Sequence, residues 1–175
     1  MDGWNIPPLN SPLNSRIESF AVKARWNFQM SLLVAAGALS LPSGMKLGYV
    51  ILYVKDVLRS IAFYEEAFGL KRRFVHEAGL YAEMDTGTTT LSFAAYGLAK
   101  SNLPCDFREH DASGPPAGFE VAFTTDDVQA AYDRARAAGA VAAAPPVAKP
   151  WGQVVAFVRD KDGIIVELCT PSTQS

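Results

Sequence analysis

Gly48-Tyr-Val-Ile-Leu-Tyr-Val-Lys-Asp56 alternates its side chains along a short strand and stops on an acidic residue. Val57, Ile61, Tyr64 and Phe68 then recur at helical spacing up to Gly69, a residue suited to the left-handed end of a helix. The same signals return 71 positions on, from Asp56 to Asp127. Phe119-Glu-Val-Ala-Phe-Thr-Thr-Asp-Asp127 is again a strand ending in Asp, and Val128, Ala131, Tyr132 and Ala135 share one helix face up to Gly139. An Asp before each helix can accept from the first-turn N–H groups, and a Gly after each can close it. One strand-helix unit is therefore used twice, and the chain reads as a tandem duplication.

Strand-like runs follow each helix. They span Arg72 to His76, Tyr81 to Asp85 and Thr88 to Ala95 in the first half, with Thr86-Gly87 as a hairpin turn. In the second half they span Ala140 to Ala143, Gln153 to Arg159 and Ile164 to Cys169, with Lys161-Asp162-Gly163 as the turn. Each half is thus βαβββ, an α+β pattern with modules at 46–96 and 119–171. Residues 97–118, rich in Pro, Ser, Gly and Asp, form the joining loop and are expected to lie over the site. Residues 1–44, with the stretch NIPPLNSPLNS, lack the repeated pattern. They are expected to be an extension that is mobile apart from a helix from about Ile17 to Ala36, leaving one domain over 45–175.

A chain of 175 residues, 49% of them hydrophobic, is long enough for one domain with a filled core. Lys plus Arg number 16 against 18 for Asp plus Glu, so a net charge of −2 supplies no footprint for a nucleic-acid backbone. Charged residues make up 19%, below the usual quarter, which points to apolar surface for a partner subunit or a cavity ligand. Cys105 and Cys169 lie in no CxxC or Cys/His cluster and are read as free thiols of a reducing, cytoplasmic compartment. No apolar run is long enough to span a bilayer. Met30 to Leu41 has the length of a signal-peptide core, but Trp26 and Phe28 interrupt its flank and no Ala-x-Ala site follows. Gly-rich phosphate loops and a Ser-centred nucleophile elbow are both absent from the sequence.

Residues 46 to 171 resemble the vicinal oxygen chelate superfamily, which includes glyoxalase I, bleomycin-resistance proteins, fosfomycin-resistance thiol transferases and extradiol dioxygenases. The resemblance rests on Tyr-Val-Lys-Asp56-Val, Ser60-Ile-Ala-Phe-Tyr64, Phe68-Gly69-Leu, Thr125-Asp-Asp-Val128, Ala138-Gly139-Ala, Trp151-Gly152-Gln153 and Phe157-Val-Arg-Asp160-Lys-Asp-Gly163-Ile-Ile-Val-Glu167-Leu, in this order and spacing. It implies that the modules form a cupped, incomplete β-barrel-like sheet with helices outside and a ligand cavity inside, commonly in a homodimer. It also implies that metal-using members take ligands from the first strand of each module, the fourth strand of the first and the last strand of the second. Those positions here are Tyr49, Thr90 or Ser92, Glu120 and Glu167. Histidine is missing from both first-strand positions.

Strand alternation assigns Tyr49, Ile51 and Tyr53 to the cup, together with Glu120, Ala122 and Thr124, and Ile165, Glu167 and Cys169. Glu120 and Glu167 are the candidate catalytic pair, expected on opposed inner strands with Tyr49 nearby. Tyr49, Glu120 and Glu167 offer only oxygen donors, a set that suits Mg²⁺, Mn²⁺ or Ca²⁺ better than zinc or non-haem iron, and a metal-free cup is equally compatible with them. Without metal, one carboxylate suits general-acid and the other general-base work. Tyr49, Tyr53, Ser92, Phe107, Trp151 and Cys169 are the candidate ligand-binding residues; the aromatic ones, with Tyr81, could floor or cover an apolar ligand, and Cys169 reads as apolar filler. Gly152, beside Trp151, permits a bulge. His76 and Glu83 fall on inner or rim positions, and His110 in the polar loop.

Three classes of function fit. One is a glyoxalase-like enzyme using the inward carboxylates, with or without a hard divalent metal, for proton transfer, lyase or hydrolytic chemistry on a small oxygenated substrate. Another is a metal-free protein that sequesters a cationic antibiotic in an acidic, aromatic cup, as the bleomycin-resistance group does. The third is a transport or sensing module without catalysis.

Overall fold

A computed structural model describes residues 44–172; the helix expected over 17–36 lies outside the described residues. The first module runs β1 (Tyr49–Val54), α1 (Val57–Phe68), β2 (Lys71–Val75), β3 (Tyr81–Asp85) and β4 (Thr90–Ala95). A short helix α2 (Tyr96–Asn102) leads into the joining loop. The second module repeats the order with β5 (Glu120–Thr124), α3 (Val128–Ala137), β6 (Val141–Ala148), β7 (Val154–Arg159) and β8 (Ile165–Cys169). The fold is α+β, with two unclosed four-stranded sheets ordered β1-β4-β3-β2 and β5-β8-β7-β6. In each, the first strand pairs in parallel with the fourth and the remaining pairs are antiparallel.

The junction residues act as their types dictate. Asp56 accepts from the Arg59 N–H at 3.0 Å and Asp127 from the Ala130 N–H at 2.9 Å, caps worth about 1 kcal/mol each. Gly69 closes α1 at a φ of +69°. Strand β6 continues to Ala148, past the Ala143 end expected from its sequence, and runs through Pro145 and Pro146. It is the outer strand of its sheet, so a proline facing away from the ladder removes no hydrogen bond. Strand β4 begins at Thr90 rather than Thr88, because the Thr86 hydroxyl bonds the Thr89 carbonyl and accepts from the Leu91 N–H, closing 86–89 into a turn.

The aliphatic faces pack under the helices as alternation requires. Leu52, Val54, Met84 and Phe93 meet Ile61 and Tyr64 of α1, while Val158, Val166 and Leu168 belong with Ala131, Tyr132 and Ala135 of α3 in the same core. The modules join through these outer layers. The Phe68 and Phe123 rings lie 5.2 Å apart, and Arg134 Nε donates to the Ala67 carbonyl at 2.9 Å.

A second joint is polar. The β7–β8 turn reaches α1, where the Tyr64 hydroxyl donates to Asp160 Oδ2 at 3.0 Å and the Ser60 hydroxyl to Asp162 Oδ2 at 2.8 Å. Asp160 Oδ1 also accepts from the N–H groups of Asp162 and Ile164 at 2.9 and 2.8 Å. Asp160 and Asp162 are 2% and 8% exposed. Burial raises the Asp160 carboxyl to a pKa of about 6, against the lowering effect of these hydrogen bonds. The turn needs glycine at position 163, where φ is +93° and a Cβ would lie 2.8 Å from the Ala112 Cα.

Candidate functional site

Cross-strand register fixes which side chains share the helix-free face of each sheet, the face that the family resemblance makes concave. On the first sheet Tyr49, Ile51 and Tyr53 stand opposite Thr90, Ser92 and Ala94. On the second, Glu120, Ala122 and Thr124 stand opposite Ile165, Glu167 and Cys169. The two modules are equivalent position by position, so Tyr49 corresponds to Glu120, and Ser92 rather than Thr90 corresponds to Glu167.

Glu120 and Glu167 lie side by side on neighbouring parallel strands of one sheet, not on opposed strands across a cup. Glu167 is half-buried between Ala122 on β5 and Phe157 on β7, and Glu120 is one diagonal step away and exposed. Diagonal neighbours on adjacent strands are within reach of two long side chains sharing one substrate. Both act on Cys169, the next inward residue of β8. Burial, then hydrogen bonding to Glu167, then the charges of Glu167 and Glu120 push its thiol up to about 11. Cys169 is therefore a neutral thiol at ordinary pH, and neither a nucleophile nor a thiolate ligand.

Tyr49 belongs to a different neighbourhood. It is 54% exposed on β1 and is felt electrostatically by Tyr81, so within one chain it joins the first sheet's polar residues and not the carboxylate pair. The Tyr81 hydroxyl lies 3.1 Å from both Glu83 Oε1 and Ser92 Oγ, and burial raises its pKa. Ser92 is fully buried.

The remaining candidates divide between the loop and a turn. Tyr53 packs on Phe107 of the joining loop with ring centroids 5.0 Å apart, and Phe107 meets Tyr96 at 5.9 Å. Trp151 is 59% exposed in the β6–β7 turn, where its Nε1 donates to Gln153 Oε1 at 3.1 Å and Gly152 has a φ of +97°. His76 Nδ1 accepts from the Ala78 N–H at 3.2 Å in the β2–β3 turn. His110 packs on Phe119 at 5.8 Å, and burial lowers its pKa.

A groove of about 560 Å³ runs along the outer edge of β5, with Val50, Phe68, Leu70, Leu91 and Phe123 among its walls and Glu120 in its lining. Residues 120–124 all line it, so it meets the strand edge-on, where backbone groups lack a ladder partner.

The donors present do not fit a metal within one chain. Tyr49 and Ser92 offer two hydroxyls on one sheet, and Glu120 and Glu167 two carboxylates on the other. Among the described residues, no three His, Cys, Asp or Glu side chains gather closely enough to hold an ion.

Sequence reading missed Arg73, which an irregularity in β2 turns toward the concave face, and the joint formed by Asp160 and Asp162. The signal for Arg73 was present in Lys71-Arg-Arg-Phe-Val75, whose Phe74 breaks strict alternation. Asp160 was legible only as a member of the Phe157–Leu168 motif and Asp162 only as part of a turn, because their burial depends on α1 of the other module.

Among the described residues, no helix is long and apolar enough to cross a membrane. The model of the Glyoxalase/Bleomycin resistance protein/Dioxygenase superfamily matches residues 46–168. A lactoylglutathione lyase of Arabidopsis thaliana is 31% identical over 130 residues, covering 69% of this chain and 42% of its own length. The chain thus spans less than half of that plant relative. A probable lactoylglutathione lyase of Vibrio cholerae is 29% identical over 131 residues, covering 72% of this chain and 91% of the relative. Among solved structures, a glyoxalase-related enzyme from Fulvimarina pelagi superposes with a TM-score of 0.63 at 20% identity, covering 73% of this chain and 88% of the other. From its duplicated modules and the family model's match over residues 46–168, the chain belongs to the Glyoxalase/Bleomycin resistance protein/Dioxygenase superfamily.

Proposed function

We propose that the chain is a glyoxalase-like enzyme that moves a proton between adjacent carbons of a small oxygenated substrate. The observation that carries this reading is the placement of Glu120 and Glu167 on one concave face beside a thiol held neutral. Relatives described as lactoylglutathione lyases supply a substrate class: thioesters of 2-hydroxy acids and the adducts of thiols with 2-oxoaldehydes. The two are isomers, so their interconversion needs no oxidant. A base removes the proton from the carbon bearing hydroxyl and sulfur. The electron pair forms a carbon-carbon double bond as the neighbouring carbonyl oxygen takes up a proton; a proton then returns to the neighbouring carbon while the hydroxyl on the sulfur-bearing carbon gives up its own and becomes the thioester carbonyl. Glu167, the more enclosed carboxylate, suits the carbon-bound proton; Glu120, open to the groove, suits exchange at oxygen. No step is routed through a metal.

Mixing methylglyoxal with glutathione and following thioester absorbance tests the reading. Formation faster with the protein than without it is the expected result. Tight binding of bleomycin with no thioester formed would instead favour sequestration of a cationic antibiotic, for which the groove offers the Glu120 carboxylate beside Phe68 and Phe123.

The same reading includes a second copy of the chain. Both sheets are open, β1 and β5 are outer strands, and Tyr49, Ile51 and Phe74 are exposed on or beside the first concave face. That apolar surface fits a homodimer in which each chain helps to cover the other's cup. Light scattering should give twice the 18.9 kDa chain mass, and Ile51→Lys should shift the species toward monomer. A wild-type monomer at 0.1 mM would contradict this.

A further inference from the structure

The concave face of the first sheet is polar at positions where the second sheet is apolar. In β2 the register shifts at Arg73, since Arg72 pairs with Met84 and Phe74 with Glu83. Arg72 bonds Glu65 of α1 on the helix side, with its two contacts at 3.2 and 2.7 Å, and Val75 packs against the core. The bulge therefore turns both Arg73 and Phe74 to the concave side.

The second module provides an internal control. It carries the same bulge, with Ala142 on Val158 and Ala144 on Phe157, so the bulge belongs to the module and the arginine does not. Arg73 corresponds to Ala143, Glu83 to Phe157, Tyr81 to Val155 and Thr90 to Ile165. A fold that stands on apolar residues at these positions in one module does not need polar ones in the other. Thr90 is buried and the Glu83 side chain is 16% exposed, so enclosing these two polar groups costs stability that the second module avoids, while the Arg73 side chain beside them is 55% exposed and open to a ligand.

The geometry indicates which use. Arg73 Nη1 donates to the buried Thr90 hydroxyl at 3.0 Å. Its Nε stands 3.8 Å from Glu83 Oε2, close enough for attraction but beyond a hydrogen bond. Glu83 is held from its other oxygen by Tyr81. The Nε and Nη2 edge, the fork that can meet a carboxylate with two parallel bonds, is thus oriented but makes no hydrogen bond to another described residue. Phe74 is 47% exposed, 6.5 Å from the Tyr81 ring, and gives the fork an apolar wall.

We propose that Arg73 anchors the carboxylate of a small organic acid whose apolar body lies on Phe74 and Tyr81. This rests on the reading of the concave face as the ligand cup. Glu83 and Tyr81 are positioning residues that aim the guanidinium. The Glu83 carboxylate 3.8 Å from the guanidinium repels any anion in proportion to its charge, so it disfavours a phosphate dianion more than a carboxylate.

The test is calorimetric titration of the full chain with 3-phenylpropionate and with its neutral amide. The acid should bind at least tenfold tighter than the amide. Arg73→Met should weaken the acid at least tenfold and leave the amide unchanged, and Arg73→Lys, a point charge, should restore only part of the loss. Unchanged melting curves would show that each variant folds. Acid binding no tighter than amide, no binding of either, or full affinity in Arg73→Met would overturn the proposal. Glu167→Gln separates the two readings. Lost turnover with retained acid affinity is expected, whereas retained turnover would sink the acid-base reading and leave the Arg73 anchor standing.

Discussion

Glu167→Gln should lower thioester formation from the methylglyoxal-glutathione adduct by about 10²- to 10³-fold, the usual contribution of a positioned acid-base group. Glutamine keeps the shape of the side chain between Ala122 and Phe157 and removes only its ability to take a proton, so the melting temperature should hold. Glu120→Gln should cost similarly. The double variant should cost little more than either single, because two carboxylates serving one substrate act as a unit. A further readout lies in Cys169, whose thiol is raised partly by the hydrogen bond and charge of Glu167. Its pKa should fall in Glu167→Gln, though not to the ordinary value, since burial is the leading cause. Turnover within twofold of wild type in both single variants would remove the pair from the mechanism.

Stability should respond to pH through the joint between the modules. Asp160 has a pKa of about 6 in the folded chain, raised chiefly by burial, against an ordinary value of 3.8. Between those values the folded protein holds a proton that the unfolded chain has given up, so stability falls as pH rises through the interval. The shift corresponds to about 3 kcal/mol, fully present below pH 4 and lost above pH 6. Asp160→Asn should remove this slope. The amide oxygen can still accept from the N–H groups of Asp162 and Ile164, and the amide NH₂ can donate to a turned Tyr64 hydroxyl. Urea unfolding at pH 4.5 and 7.5 would show it: the variant should gain on wild type at the higher pH, and parallel curves would mean that Asp160 does not titrate in this window.

The fold was legible because local signals agreed twice over. Asp56 and Asp127 each cap a helix, and the aliphatic halves of β1 and β8 pack under the helices as alternation requires. What failed depended on neighbours outside the segment. β6 passes through Pro145 and Pro146 only because it is an outer strand, a property of sheet order. The inward assignment of Glu120 and Glu167 followed from period two alone, but their placement on adjacent strands needed the β5–β8 pairing. Tyr49 shares a register position with Glu120 in the duplicated pattern yet stands on the other sheet. Asp160 and Arg73 were hidden for the same reason: burial by α1 and a bulge opposite Glu83 are tertiary facts.

The face bearing Glu120 and Glu167 should exchange a carbon-bound proton. Lactoylglutathione incubated with the full chain in D₂O, and followed by proton NMR, reports this at the carbon next to the thioester. Wild-type protein should wash deuterium into that position at least 100-fold faster than Glu167→Gln. Equal rates in the two proteins, or a wild-type rate no greater than buffer alone, would contradict it.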